Sequence, residues 1–94
     1  STSETSILNY ISLANKNVNG RLADILIYLS DHVYKSDSFH LQLTRKEIAE
    51  FASCSKENVI HTLTRWNDEK IILADVKTIT ILDREKLKVI SKLG

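Results

Sequence analysis

A winged helix-turn-helix, mainly α with a small β-hairpin wing, is the fold class this sequence predicts. Three observations between Leu43 and Asp83 carry the prediction: two helix starts that each bear a cap, a three-residue turn between the helices, and two β-branched runs around a tight loop. These local signals are separate, and they converge on one architecture.

In chain order, Ile7, Ile11, Ala14 and Val18 keep the spacing of a coiled-coil seam, so residues 1–16 are expected to end a dimerisation helix or form a linker. Asn17 to Gly20 interrupts that seam, and residues 17–94 make up the winged helix-turn-helix domain. Leu22, Ile25, Leu26, Leu29 and Val33 continue from Val18 as one amphipathic helix, which Ser36-Asp37-Ser38 ends as a polar loop. Thr44 opens the next helix. Thr-Arg-Lys-Glu places a hydroxyl at the N-cap and a carboxylate three residues on, so that two orphan N–H groups are satisfied reciprocally. That helix runs to about Ala52, with Ile48, Phe51 and Ala52 on its apolar stripe and Glu47 and Glu50 turned away. Ser53-Cys54-Ser55 breaks the pattern. Ser55 is a good N-cap, and Lys56 to Lys70 resumes helical spacing with Val59, Leu63 and Trp66 inward. Ile71 to Ala74 and Thr78 to Ile81 then read as a hairpin around Asp75-Val76-Lys77, with Lys77 near its tip. A last helix, residues 84–92, is capped by Asp83 and buries Leu87 and Ile90.

On the helix from Lys56, the apolar direction leaves Glu57, His61, Thr64 and Arg65 on the opposite side, with Lys56 and Asn58 flanking them at the N-terminal end. A helix lying in the major groove reads base edges with residues near its N-terminus, and offers that terminus's N–H groups and positive dipole end to phosphates. A hairpin that follows it can lay its tip on the sugar-phosphate backbone.

From Asn17-Val18-Asn19-Gly20-Arg21-Leu22-Ala23, through Leu43-Thr44-Arg45-Lys46-Glu47-Ile48-Ala49 and Cys54-Ser55-Lys56-Glu57-Asn58-Val59, to Asp83, the chain resembles a known family. It is similar to the C-terminal DNA-binding domain of the cyclic-AMP receptor protein and fumarate-nitrate regulator superfamily of bacterial transcription factors. The resemblance implies sequence-specific binding of double-stranded DNA, as the output domain of a transcription regulator, with residues 56–70 in the major groove. By position it implies that Lys56, Glu57 and His61 contact bases, and that Thr44, Arg45, Ser55, Asn58 and Lys77 contact the backbone. The partners it implies are a palindromic operator and a second copy of the protein joined through an N-terminal region, with RNA polymerase a further candidate and no membrane. The effector is expected to act on an upstream sensor, so no cofactor is expected in this domain. Three positions depart from the family. His61 stands where arginine is common, Ser53 where the inter-helix turn often has glycine, and Val76 where the wing often does. Because a β-branched residue resists positive φ, Asp75 or Lys77 is expected to absorb the tight geometry of the wing.

The residues also have plainer roles. Glu57 near a helix N-terminus favours the dipole, and Lys56 can serve as a solvated surface charge. Ile60 lies on the shoulder of the helix, where a thymine methyl or the wing is its expected neighbour. Trp66 and Phe51 are expected as core anchors. Cys54 is expected to be buried and structural. It is no nucleophile paired with His61, since seven helical residues span about 10 Å where roughly 3 Å is needed. His32, His40 and Cys54 lack metal-site spacing, so neither a metal nor an enzyme is expected.

At 94 residues and 43% apolar content the chain suits one domain with a modest core. No run approaches the length needed to span a bilayer and no signal peptide opens the chain, so a cytoplasmic location is expected. One cysteine excludes an internal disulfide. With no methionine and serine first, the chain is expected to be part of a longer polypeptide. Net charge is only +1, and between Thr44 and Lys70 five basic residues (Arg45, Lys46, Lys56, Arg65, Lys70) balance five acidic ones (Glu47, Glu50, Glu57, Asp68, Glu69). Distribution favours DNA, because Arg45, Lys46 and Lys56 sit at helix starts while Asp68 and Glu69 sit at the distal end. The near-neutral balance keeps open an alternative, a winged helix used as a protein-interaction module.

Overall fold

In the computed structural model, which describes residues 17–93, helix α1 (Val18–Tyr28) opens on Asn17, whose Oδ1 accepts from Gly20 N at 3.0 Å. The expected seam at Ile7, Ile11 and Ala14 lies outside the described residues. Leu22, Ala23, Ile25, Leu26 and Ile27 are all buried, as is Asp24, so α1 is covered nearly all round and runs through the middle of the domain. Arg21 Nε donates to Ala52 O at 2.7 Å and ties α1 to the end of the next helix.

The expected stripe fails at its C-terminal end. Leu29–Val33 winds as a π-helical turn, closed by Tyr34 N donating to Leu29 O at 2.8 Å. The i→i+5 winding puts an extra residue into the turn and shifts the phase of every side chain after it. Val33, expected inward, is therefore 42% exposed. Ser36 to Ser38 is not simply a loop, because Ser38–His40 forms a strand, β1, carrying buried Phe39. The Tyr34 ring stacks on Phe39 with centroids 4.8 Å apart.

Helix α2 (Arg45–Ala52) starts with the expected capping box: Glu47 N donates to Thr44 Oγ1 at 3.1 Å and Thr44 N to Glu47 Oε1 at 2.9 Å. Its inward residues are Ile48, Ala49 and Ala52, with Phe51 only half-buried at the margin of the core. Helix α3 (Lys56–Asp68) is capped by Ser55, whose Oγ accepts from Asn58 N at 3.1 Å. It stops two residues short of Lys70.

Both helices end in the same way. Ser53 has φ 55° and Lys70 has φ 61°, each following the last turn of its helix. At the first end Cys54 N donates to Ala49 O at 3.0 Å and Ser53 N to Glu50 O at 3.3 Å. At the second, Ile71 N donates to Trp66 O at 2.9 Å and Lys70 N to Asn67 O at 3.1 Å. These are Schellman closures, built here without glycine. At the second, buried Ile71 and Trp66 supply the hydrophobic contact that offsets the cost of the left-handed residue.

Strands β2 (Ile72–Ala74) and β3 (Thr78–Ile81) form the expected hairpin, and β3 also pairs antiparallel with β1, giving a three-stranded sheet of order β1-β3-β2. The register places Ser38, Phe39 and His40 opposite Thr80, Ile79 and Thr78. At the hairpin tip neither Asp75 nor Lys77 takes positive φ, contrary to expectation; among the described residues only Lys35, Ser53 and Lys70 do. The loop is closed by hydrogen bonds instead, Asp75 N to Thr78 O at 2.9 Å and Val76 N to Asp75 Oδ1 at 2.8 Å.

Helix α4 (Arg84–Leu93) is capped by Asp83, which accepts from Lys86 N at 3.1 Å. It packs antiparallel along α1, burying Leu87 and half-burying Ile90. Two polar clusters fix that packing. Ser91 Oγ donates to Asp24 Oδ1 in the interior, and Arg84 bridges Asp31 at 2.8 Å, Asp37 and Ser30 Oγ at the other end. The hydrogen bond that Arg84 donates to the Asp37 carboxylate raises the guanidinium above its ordinary value, against the desolvation that burial brings. The fold is mainly α with a small antiparallel sheet, as predicted.

Candidate nucleic-acid interface

The interface is built outward from the inward face of α3. Val59, Leu63 and Trp66 are buried, and so is Thr62, whose place in the core its chemistry did not announce. Locking this row inward turns Glu57, His61, Thr64 and Arg65 to solvent, with Lys56 and Asn58 exposed at the N-terminal end. Among the described residues, no hydrogen bond or ion pair engages the side chain of Lys56, Glu57 or His61. Ile60, 44% exposed, flanks them as the apolar member of the row.

Ser55 and Thr44 each use a hydroxyl oxygen as a cap acceptor, which leaves the O–H of each available as a donor. The first amides of α3, at Lys56 and Glu57, have no intrahelical acceptor, as at any helix start. Arg65 lies 4.0 Å from Glu69, which also lies 3.9 Å from Lys86. Both pairs are solvent-exposed and contribute little to stability.

Arg45 differs from the other expected backbone contacts because it is half-buried. Burial pushes its guanidinium below the ordinary value, and Nη2 donates to Asp75 O at 3.3 Å. Thus the start of α2 touches the tip of the wing. Asn67, missed in the sequence, makes the companion contact: its Oδ1 accepts from Ala74 N at 2.9 Å. An asparagine late in a polar helix end carries no local signal of such a partner. Lys77 is exposed at the tip, and its carbonyl accepts from Leu41 N.

Cys54 is half-buried between α2 and α3 rather than fully enclosed. Burial pushes its thiol up, outweighing the opposing charge of Arg21, which favours the protonated, unreactive form. Among the described residues, no three His, Cys, Asp or Glu side chains group where they could hold a metal ion. No helix among them is long and apolar enough to cross a membrane.

Comparison with known proteins bears on this arrangement. Residues 20–90 match the family described as the Crp-like helix-turn-helix domain. The cAMP-activated global transcriptional regulator CRP of Salmonella typhimurium is 34% identical over 73 residues, a match covering 74% of this chain and 35% of the relative. This chain therefore spans about a third of the length of that curated relative. Among solved structures, the CO-dependent transcription factor CooA from Carboxydothermus hydrogenoformans superposes with a TM-score of 0.70 at 24% identity, covering 94% of this chain and 43% of that one. The catabolite activator protein of Thermus thermophilus gives 0.65 at 21% identity, covering 79% and 33%. Both share the fold.

Proposed function

Because this chain belongs to the Crp-like helix-turn-helix domain family, whose relatives are transcription regulators and not enzymes, we propose that it binds double-stranded DNA sequence-specifically, with α3 in the major groove. The observation that carries this reading is the row Lys56, Glu57, His61, exposed and unengaged on the side of α3 opposite Trp66. Lys56 donates to a guanine edge or a phosphate, Glu57 accepts from a cytosine amino group, and His61 reaches a base one helical turn on. Thr44, Ser55 and Asn58 hold phosphates around the two helix starts, Arg45 does so with the donors its wing contact leaves over, and Lys77 does so from the wing. The working unit is a dimer on a palindromic operator. Two half-sites compensate through effective concentration for a helix-turn-helix whose own charge is balanced. The effector, a nucleotide, a haem-bound gas or another small molecule, acts on a sensor outside this domain, and RNA polymerase is the further partner through which the regulator acts.

A gel-shift titration in salt tests the reading. Each phosphate neutralised contributes a slope of about −0.9 in log K against log salt. Lys56→Ala is expected to flatten that slope by about one such unit if it holds a phosphate, or to relax specificity by roughly 1–3 kcal/mol if it reads a base. A slope near zero in the wild type overturns the DNA reading, and favours the protein-interaction module that the +1 net charge keeps open.

His61 adds a specificity test. His61→Ala is expected to relax discrimination at the base pair that the imidazole faces by roughly 1–3 kcal/mol. Undiminished discrimination at every base pair of the selected operator removes His61 from base readout.

A further inference from the structure

At its outer edge and tip the wing is tied to the helix-turn-helix by the two side chains described above, and they are not equal. Asn67 Oδ1 receives the Ala74 amide at 2.9 Å, near the most favourable N–H···O length, whereas the Arg45 contact with Asp75 O is long at 3.3 Å. Strand β2 is an edge strand, paired with β3 on one side only. The amide of Asp75 turns towards β3, to Thr78 O, so by strand alternation that of Ala74 turns to the open edge. Asn67 fills the position of a missing strand there.

On its other side the sheet is secured by β1 and by the bond from Leu41 N to Lys77 O. Buried Phe39, Ile72, Ile79 and Ile81 seat the body of the sheet in the core, and what remains to be set is where the tip of the hairpin stands against α3. Apolar packing does not set it at the tip, since Leu73 is 56% and Val76 82% exposed. An open groove of about 220 Å³, lined by Arg45, Ile60, Thr64 and Asn67, separates α3 from the hairpin there.

We propose that Asn67 is a positioning residue of the DNA interface: by joining the edge of β2 to α3 it fixes where the Lys77 ammonium stands relative to Lys56, Glu57 and His61. This rests on the DNA-binding reading above. Asn67 touches no base or phosphate itself. Its effect passes through Lys77, so removing either residue forfeits the same phosphate contact.

Two variants test this. Asn67→Leu removes the acceptor oxygen, and Asn67→Asp keeps one in the same place. In the DNA-free protein, hydrogen exchange at the Ala74 amide is expected to quicken at least tenfold in Asn67→Leu and to stay near wild type in Asn67→Asp. On a duplex obtained by binding-site selection, Asn67→Leu is expected to flatten the salt slope by about 0.9 per half-site, as Lys77→Ala does. Adding Lys77→Ala to Asn67→Leu is then expected to flatten it no further. A purely structural Asn67 would lower the melting temperature and leave the slope unchanged. That result, or a full Lys77→Ala effect in the Asn67→Leu background, overturns the proposal while the wild-type slope keeps the DNA reading intact. A wild-type slope near zero overturns both.

Discussion

Trp66→Ala is expected to lower the unfolding free energy by about 3–5 kcal/mol, the usual range for truncating a buried tryptophan. The side chain is 2% exposed, and its own carbonyl receives Ile71 N at the Schellman closure of α3. Truncation therefore opens a cavity between α3 and the core and loosens the contact that stabilises Lys70 in its left-handed conformation. Domains of this size are stable by only about 5–15 kcal/mol, so a large part of the total is lost. Urea unfolding followed by circular dichroism measures the loss, with Thr64→Ala on the solvent face of α3 as a control expected within about 0.5 kcal/mol of wild type. A loss below 1 kcal/mol for Trp66→Ala would mean that α3 is not anchored by this face. The outward orientation of Glu57 and His61 would then lose its basis.

Replacing Glu57 by alanine is expected to abolish discrimination at one base pair of each half-site. A carboxylate accepts from the cytosine amino group, and a well-placed base contact discriminates by about 1–3 kcal/mol; two half-sites double this to roughly 2–6 kcal/mol on a symmetric operator. The measurement compares affinities for the selected operator and for one with that C·G pair inverted in both halves. Wild type separates the two duplexes, and Glu57→Ala binds them alike. The plainer role of Glu57, a charge near the N-terminus of α3, contributes only about 0.3–1 kcal/mol of stability. Lowered stability with undiminished discrimination would assign Glu57 to that role alone.

The elements visible in the sequence are those whose causes lie within a few residues. Thr44 with Glu47, Ser55 before Lys56, and Asp83 before Arg84 are cap chemistries written locally, and all three hold. The inward row Val59, Leu63, Trp66 is a periodicity of the same local kind. Strand β1 was not legible because Ser38-Phe39-His40 is short and serine-flanked, and its reason to be extended is Ile79, forty residues away. Val33 was misplaced because nothing in Leu29 to Val33 announces a π-helical turn. At the wing, substitution chemistry suggested a strained φ at Asp75 or Lys77, whereas side-chain and backbone hydrogen bonds close the loop without one. The outward row of the candidate site was legible for the same reason as the core, since it is the complement of the inward one. Asn67 and the half-burial of Arg45 were not, because both depend on where the hairpin folds back.

The central place of β3 has a consequence for association. With β1 on one flank and β2 on the other, β3 is paired along both edges, so the hairpin is no flap swinging from a single hinge. β1 holds its inner edge and Asn67 its outer one, so helix and wing are joined on both sides of the hairpin. If the domain docks on a duplex as proposed, little ordering entropy is then owed at that moment.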